Sequence, residues 1–134
     1  MKLLITYLRR YRLTLVCAAV VLYLCLMPSP TMPVAQVPFA DKWTHVVLFF
    51  TVCTVMWAEF WRSHTRHTKA SRHVWIGVVL PAAFGGAIEI AQAHLTTTRS
   101  GDWLDFAADC VGVLLAALVG TRFLRRYAPK ASDR

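Results

Sequence analysis

Three groups of polar residues stand where apolar segments begin or end, and their types suit proton transfer and cation binding. Asp41, Lys42 and His45 open one segment, Glu89 and Gln92 lie near the end of the next, and Arg99, Asp102, Asp105 and Asp109 lead into the last. Asp41 and His45 are four residues apart, so on a helix they share a face. There the acid could fix the tautomer of the imidazole or stabilise its charge. Asp41 also has the simpler role of capping a helix start. Glu89, Asp105 and Asp109 offer carboxylate oxygens, the donors a hard divalent cation prefers. Lys42 and Arg99 could neutralise part of this acidity, or hold an anionic group such as a phosphate beside it.

The elements that must position these residues are hydrophobic. Of 134 residues, 57% are hydrophobic and only 16% charged, less charge than a soluble domain carries. Apolar segments cover about 13–27, 43–61, 74–95 and 104–121. A spanning helix needs about 20 such residues. The last three segments meet that length, and the first is completed by Tyr11 and Arg12 at the interface. The expected fold is a single all-α integral membrane domain over 1–134, a compact bundle of four transmembrane helices joined by short loops.

Charge placement sets the expected topology. Thirteen of the fifteen Lys and Arg residues flank one end of the segments, leaving Lys42 and Arg99 at the other, with five of the seven acids. The positive-inside rule then makes both termini cytoplasmic in a multi-pass protein of the inner cell membrane. Trp43 and Trp103 would mark the outer interface, and Trp57, Trp61 and Trp75 the inner one. Topology accounts for the net charge of +8, so no nucleic-acid partner is expected; the bilayer is the expected partner. The basic start and first apolar run lack a good small-residue cleavage site, since Pro33 precedes Ala35, so this segment is expected to be retained. Pro28, Pro30, Pro33 and Pro38 predict an extended or turned outer loop. His64, His67 and His73 fall in a basic inner loop expected to be solvated. Cys17, Cys25, Cys53 and Cys110 lie in apolar segments without pair spacing and read as small hydrophobes.

Two positions resist a bland reading. Glu89 lies six residues before Leu95, about 9 Å inside the helix end at about 1.5 Å per residue. A carboxylate at that depth should face the bundle interior, paired, protonated or holding a cation. Gly85, Glu89 and Gln92 share its face, and Pro81 could kink the helix. In the last segment, 105, 109, 112 and 116 form one stripe, acidic above and small below, while Ala108, Gly112, Ala116 and Gly120 repeat a small residue every fourth position. That helix should be central and closely packed. Asp102 alone reads as a cap.

Together these strings resemble the VanZ-like family: D-K-x-x-H at Asp41, Lys42 and His45, E-x-x-Q at Glu89 and Gln92, and R-x-x-D-x-x-D-x-x-x-D-x-x-G at Arg99, Asp102, Asp105, Asp109 and Gly112. The resemblance covers about 41–120 and includes the hydropathy pattern. Members usually carry Asn where this chain has Asp109, so a carboxyl group is added here. The family takes its name from a protein associated with teicoplanin resistance, so the resemblance implies work at the cell envelope and a link to glycopeptide resistance. It supplies no substrate. Three roles follow: binding of an envelope lipid or lipid-linked precursor at an outer polar site; a membrane enzyme holding a divalent cation and acting on a phosphate-bearing envelope lipid, with His45 as acid or base; or a structural hydrogen-bond network without catalysis. No GxSxG, HExxH or Walker-type string is present.

Overall fold

A computed structural model describes residues 2–27, 40–64, 68–96 and 101–128. The proline loop at 28–39, Arg66, His67 and Arg99 lie outside the described residues. Five helices follow in order: α1 (Lys2–Arg10), α2 (Arg12–Leu26), α3 (Ala40–Ser63), α4 (Ala70–Leu95) and α5 (Trp103–Arg122), with a 3₁₀ turn at Leu124–Tyr127. No strand occurs among the described residues. α3, α4 and α5 are long and apolar enough to cross a membrane; α2 is a shorter apolar helix of 15 residues. The chain is a multi-pass membrane protein by the length and composition of these helices. Its outer surface agrees: Val16, Val20, Val47, Leu80, Ile90, Leu114 and Leu118 are all exposed.

α1 is the element that sequence reasoning missed. The basic start read as a flank, yet it forms a nine-residue helix with Arg9 and Arg10 in its last turn, where cations suit the helix dipole. Within α4, Trp75–Val79 is a π turn, closed by the Leu80 N–H donating to the Trp75 carbonyl. Pro81 follows at once. Its ring brings no N–H and crowds the carbonyl of Gly77, and a widened turn accommodates both defects.

The core lies between α3 and α5, with α2 and α4 packed beside them. Gly112 sets the distance of closest approach: a Cβ there would sit 2.6 Å from the Val46 carbonyl oxygen and 2.9 Å from the Phe50 nitrogen. Ala108, Gly112, Ala116 and Gly120 are all buried, as the small-residue repeat predicted. Nearer the basic end, Trp57 fills the space left by Gly77 and Gly120, and a Cβ on either glycine would overlap its ring. Trp61 donates its indole N–H to the Gly120 carbonyl at 2.8 Å.

Two expectations are corrected here. Trp57 and Trp61 are core residues at 1% exposure, whereas Trp43, Trp75 and Trp103 are exposed in the manner of interfacial anchors. Gly77 and Gly120 give Trp57 room inside, and the Gly120 carbonyl satisfies the Trp61 indole. His64 and His73 are likewise not simply solvated. His64 stacks on Phe60 at 4.2 Å between ring centroids, and His73 packs against Trp57, Phe60 and Trp61. Cys25 and Cys53 are buried, as small hydrophobes in apolar helices would be, and Cys17 and Cys110 are half-buried.

Gly112→Ala should force α3 and α5 apart, at a cost of about 1–3 kcal/mol for overpacking. Gly86→Ala is the control, because its Cβ would meet only Phe106, at 3.5 Å. Thermal melts in detergent should show a lowered midpoint for the first variant and little change for the second; equal midpoints would contradict the packing described.

Candidate functional site

The polar residues converge at one end of the bundle because α3 and α5 start there while α2 and α4 end there. They form two layers. The outer layer is built on Lys42, whose Nζ donates to Asp105 Oδ1 at 2.8 Å, Asp41 Oδ2 at 2.9 Å and Asp102 Oδ2 at 3.0 Å. Asp41 is largely exposed, Asp102 partly so, and Lys42 and Asp105 are mostly covered. Asp102 is also the α5 cap, accepting the Leu104 N–H at 2.9 Å. That N–H, and then Lys42, hold its carboxyl below the usual range.

The inner layer is His45, Glu89 and Asp109, at 3%, 6% and 0% exposure. His45 Nδ1 lies 2.9 Å from Asp109 Oδ1, and Nε2 lies 3.9 Å from Asp105 Oδ2. Glu89 Oε2 accepts the Asp102 backbone N–H at 2.9 Å. Gly85 makes the room for Asp109: a Cβ there would come within 2.8 Å of Oδ2. One ligand-type atom from each of His45, Glu89 and Asp109 lies within 4.8 Å of the other two. Glu89 Oε1 and Asp109 Oδ2 are buried with no hydrogen-bond partner among the described residues.

The geometry differs from the sequence expectations in how these side chains pair. Asp41 faces Lys42 rather than His45, and the acid that orients the imidazole is Asp109, across the helix crossing. Asp105 Oδ1 is engaged by Lys42, and the residues whose donor atoms gather within 4.8 Å are His45, Glu89 and Asp109, two of them from the expected set of Glu89, Asp105 and Asp109. Gln92 does not join the cluster. It is buried, and its amide donates to the Cys25 carbonyl at 2.8 Å, tying α4 to the end of α2. Lys42 neutralises acids, one of its two expected roles.

Glu59 was overlooked. It is 5% exposed, far from the polar end, and accepts the backbone N–H groups of Leu13 and Thr14 and the Thr14 hydroxyl. It thus caps α2, whose own N-cap residue, Tyr11, makes no side-chain cap. The available signal was an acid set among Trp57, Phe60 and Trp61 inside an apolar segment, which required an interior partner.

Comparison with protein-family models, with curated proteins and with solved structures finds no match to the chain.

Lys42→Met should destabilise the protein by about 1–2 kcal/mol, chiefly through Asp105, because solvent screens the more exposed Asp41 and Asp102. Asp105→Asn in the same chain should then cost less than it does alone. A double-mutant cycle on thermal midpoints measures this coupling, and additive losses would show that the Lys42–Asp105 contact contributes nothing.

Proposed function

We propose that this chain is a VanZ-like protein of the cytoplasmic membrane with four spans and both termini inside. Its outward polar end holds a divalent cation between His45, Glu89 and Asp109. Through that cation it binds the phosphate-bearing head of a cell-envelope lipid or lipid-linked precursor. The observation that carries this reading is the pair of buried, unpartnered carboxylate oxygens, Glu89 Oε1 and Asp109 Oδ2, beside a buried imidazole. Two acids in an apolar interior require a proton, a partner or a cation. One imidazole and two carboxylates suit Mn²⁺, Zn²⁺ or Fe²⁺ better than Ca²⁺, which takes oxygen alone.

The outer layer supports a cation-first order. It sets three carboxylates against one ammonium, so a phosphate approaching it meets net negative charge. A divalent ion beneath would reverse the local field and admit the anion. Binding is favoured over turnover because His45 is enclosed, with both ring nitrogens facing carboxylates. The four-span topology is supported by α2, which packs against α3 and α4 and alternates with them in direction. The orientation rests on the basic residues. The link to glycopeptide resistance follows from the resemblance and is part of this proposal.

In detergent, Mn²⁺ or Zn²⁺ should raise the thermal midpoint, by an amount equivalent to about 2.7 kcal/mol at 100 times the dissociation constant. Asp109→Asn and Glu89→Gln, both isosteric, should abolish the shift. A polyprenyl phosphate should then bind only with the metal present, and be recovered unchanged. An absent shift, or one surviving in both variants, would leave the cluster as a structural network. A modified lipid would establish an enzyme.

A further inference from the structure

The opposite end of the bundle carries a second feature. An open surface hollow of about 400 Å³ lies between α1, the start of α2 and the end of α3, lined by the exposed Arg9, Arg10, Arg12 and Arg62 together with Glu59. This volume falls within the range of about 300–1,000 Å³ seen for small-ligand sites. Topology explains why basic residues lie at this end; it does not explain why four arginines from three helices line one hollow.

Glu59 would be the obvious counter-charge, but its carboxylate is already engaged. Oε1 accepts the Leu13 N–H at 3.1 Å, and Oε2 accepts the Thr14 N–H at 3.0 Å and the Thr14 hydroxyl at 2.7 Å. Among the described residues, none of the four arginines forms a salt bridge within 4 Å. The cavity therefore holds four positive charges against one negative, with the negative group turned to the helix start. Glu59 also fixes α2 against α3, so the hollow between them has a defined wall. Arginine forks match phosphate oxygens in pairs, and short helices such as α1 at a membrane surface bring such groups to headgroup depth.

We propose that this cavity is an anion site for a phosphate ester, filled by the headgroup of an anionic phospholipid in the leaflet at the basic end. It is separate from the polar cluster and stands on different residues.

Native mass spectrometry of the full-length protein in detergent tests this directly. Cardiolipin, with two phosphates, should remain bound as a single copy and at least tenfold more tightly than phosphatidylcholine. Arg9→Gln with Arg62→Gln should lower that affinity at least fivefold, and lysine at both positions should restore part of it. Arg122→Gln with Arg126→Gln removes the same charge at this end outside the cavity, and should leave it within twofold. Displacement of cardiolipin by millimolar inorganic phosphate would keep the anion site and make a free phosphate its occupant; resistance to displacement would confirm the lipid. Equal losses in the two double variants, or no preference for cardiolipin over phosphatidylcholine, would overturn the proposal. A thermal melt of each variant separates unfolding from lost binding, and the lysine variant carries the test should the glutamine one not fold.

Discussion

The contact on which the polar end depends is the 2.9 Å approach of His45 Nδ1 to Asp109 Oδ1. It joins two helices at their crossing, at a depth where neither group reaches water. Burial of either group alone would cost several kcal/mol, so each requires the other, and both require α3 and α5 to lie close together. Gly112 permits that closeness from below, and Gly85 clears the space for the carboxylate from the side. The chemistry at this end is therefore a consequence of backbone packing, and a single Cβ in the wrong place would disturb it.

The two ends of the bundle solve the problem of charge in an apolar environment differently. At the polar end, acids outnumber bases and are arranged in layers, with Lys42 bridging the outer carboxylates while the inner ones remain under-supplied with donors. At the basic end, one buried acid is satisfied by a helix N-terminus, and exposed arginines line an open hollow beside it. Between them lies an aromatic and aliphatic core including Phe49, Val52, Met56, Trp57 and Phe60.

Much of this was legible from residue types and spacing. The apolar segments, the burial of the 85, 89 and 92 face, the small-residue stripe on α5 and the convergence of acids at one end all follow from helical periodicity. The pairings were not. Sequence spacing favoured Asp41 as the partner of His45, because four residues on one helix is the distance that can be counted. Asp109 is 64 residues away, and only the crossing of α3 with α5 brings it closer. The same limit hid the role of Gln92, which reaches a backbone carbonyl on α2, and of Glu59, whose partners are amides of α2 that a hydropathy profile does not show. Trp57 and Trp61 were assigned to the interface by type, whereas the space beside Gly77 and Gly120 places Trp57 inside and the Gly120 carbonyl holds Trp61.

The most direct test of the buried centre is pulsed EPR of Mn²⁺ bound to the purified protein. Coordination by His45 predicts a nitrogen coupling from one imidazole that persists in His94→Gln, a histidine on the exposed surface of α4, and disappears in His45→Gln. A spectrum of fully hydrated Mn²⁺, or a nitrogen coupling that survives His45→Gln, would show that the three groups do not form a metal site.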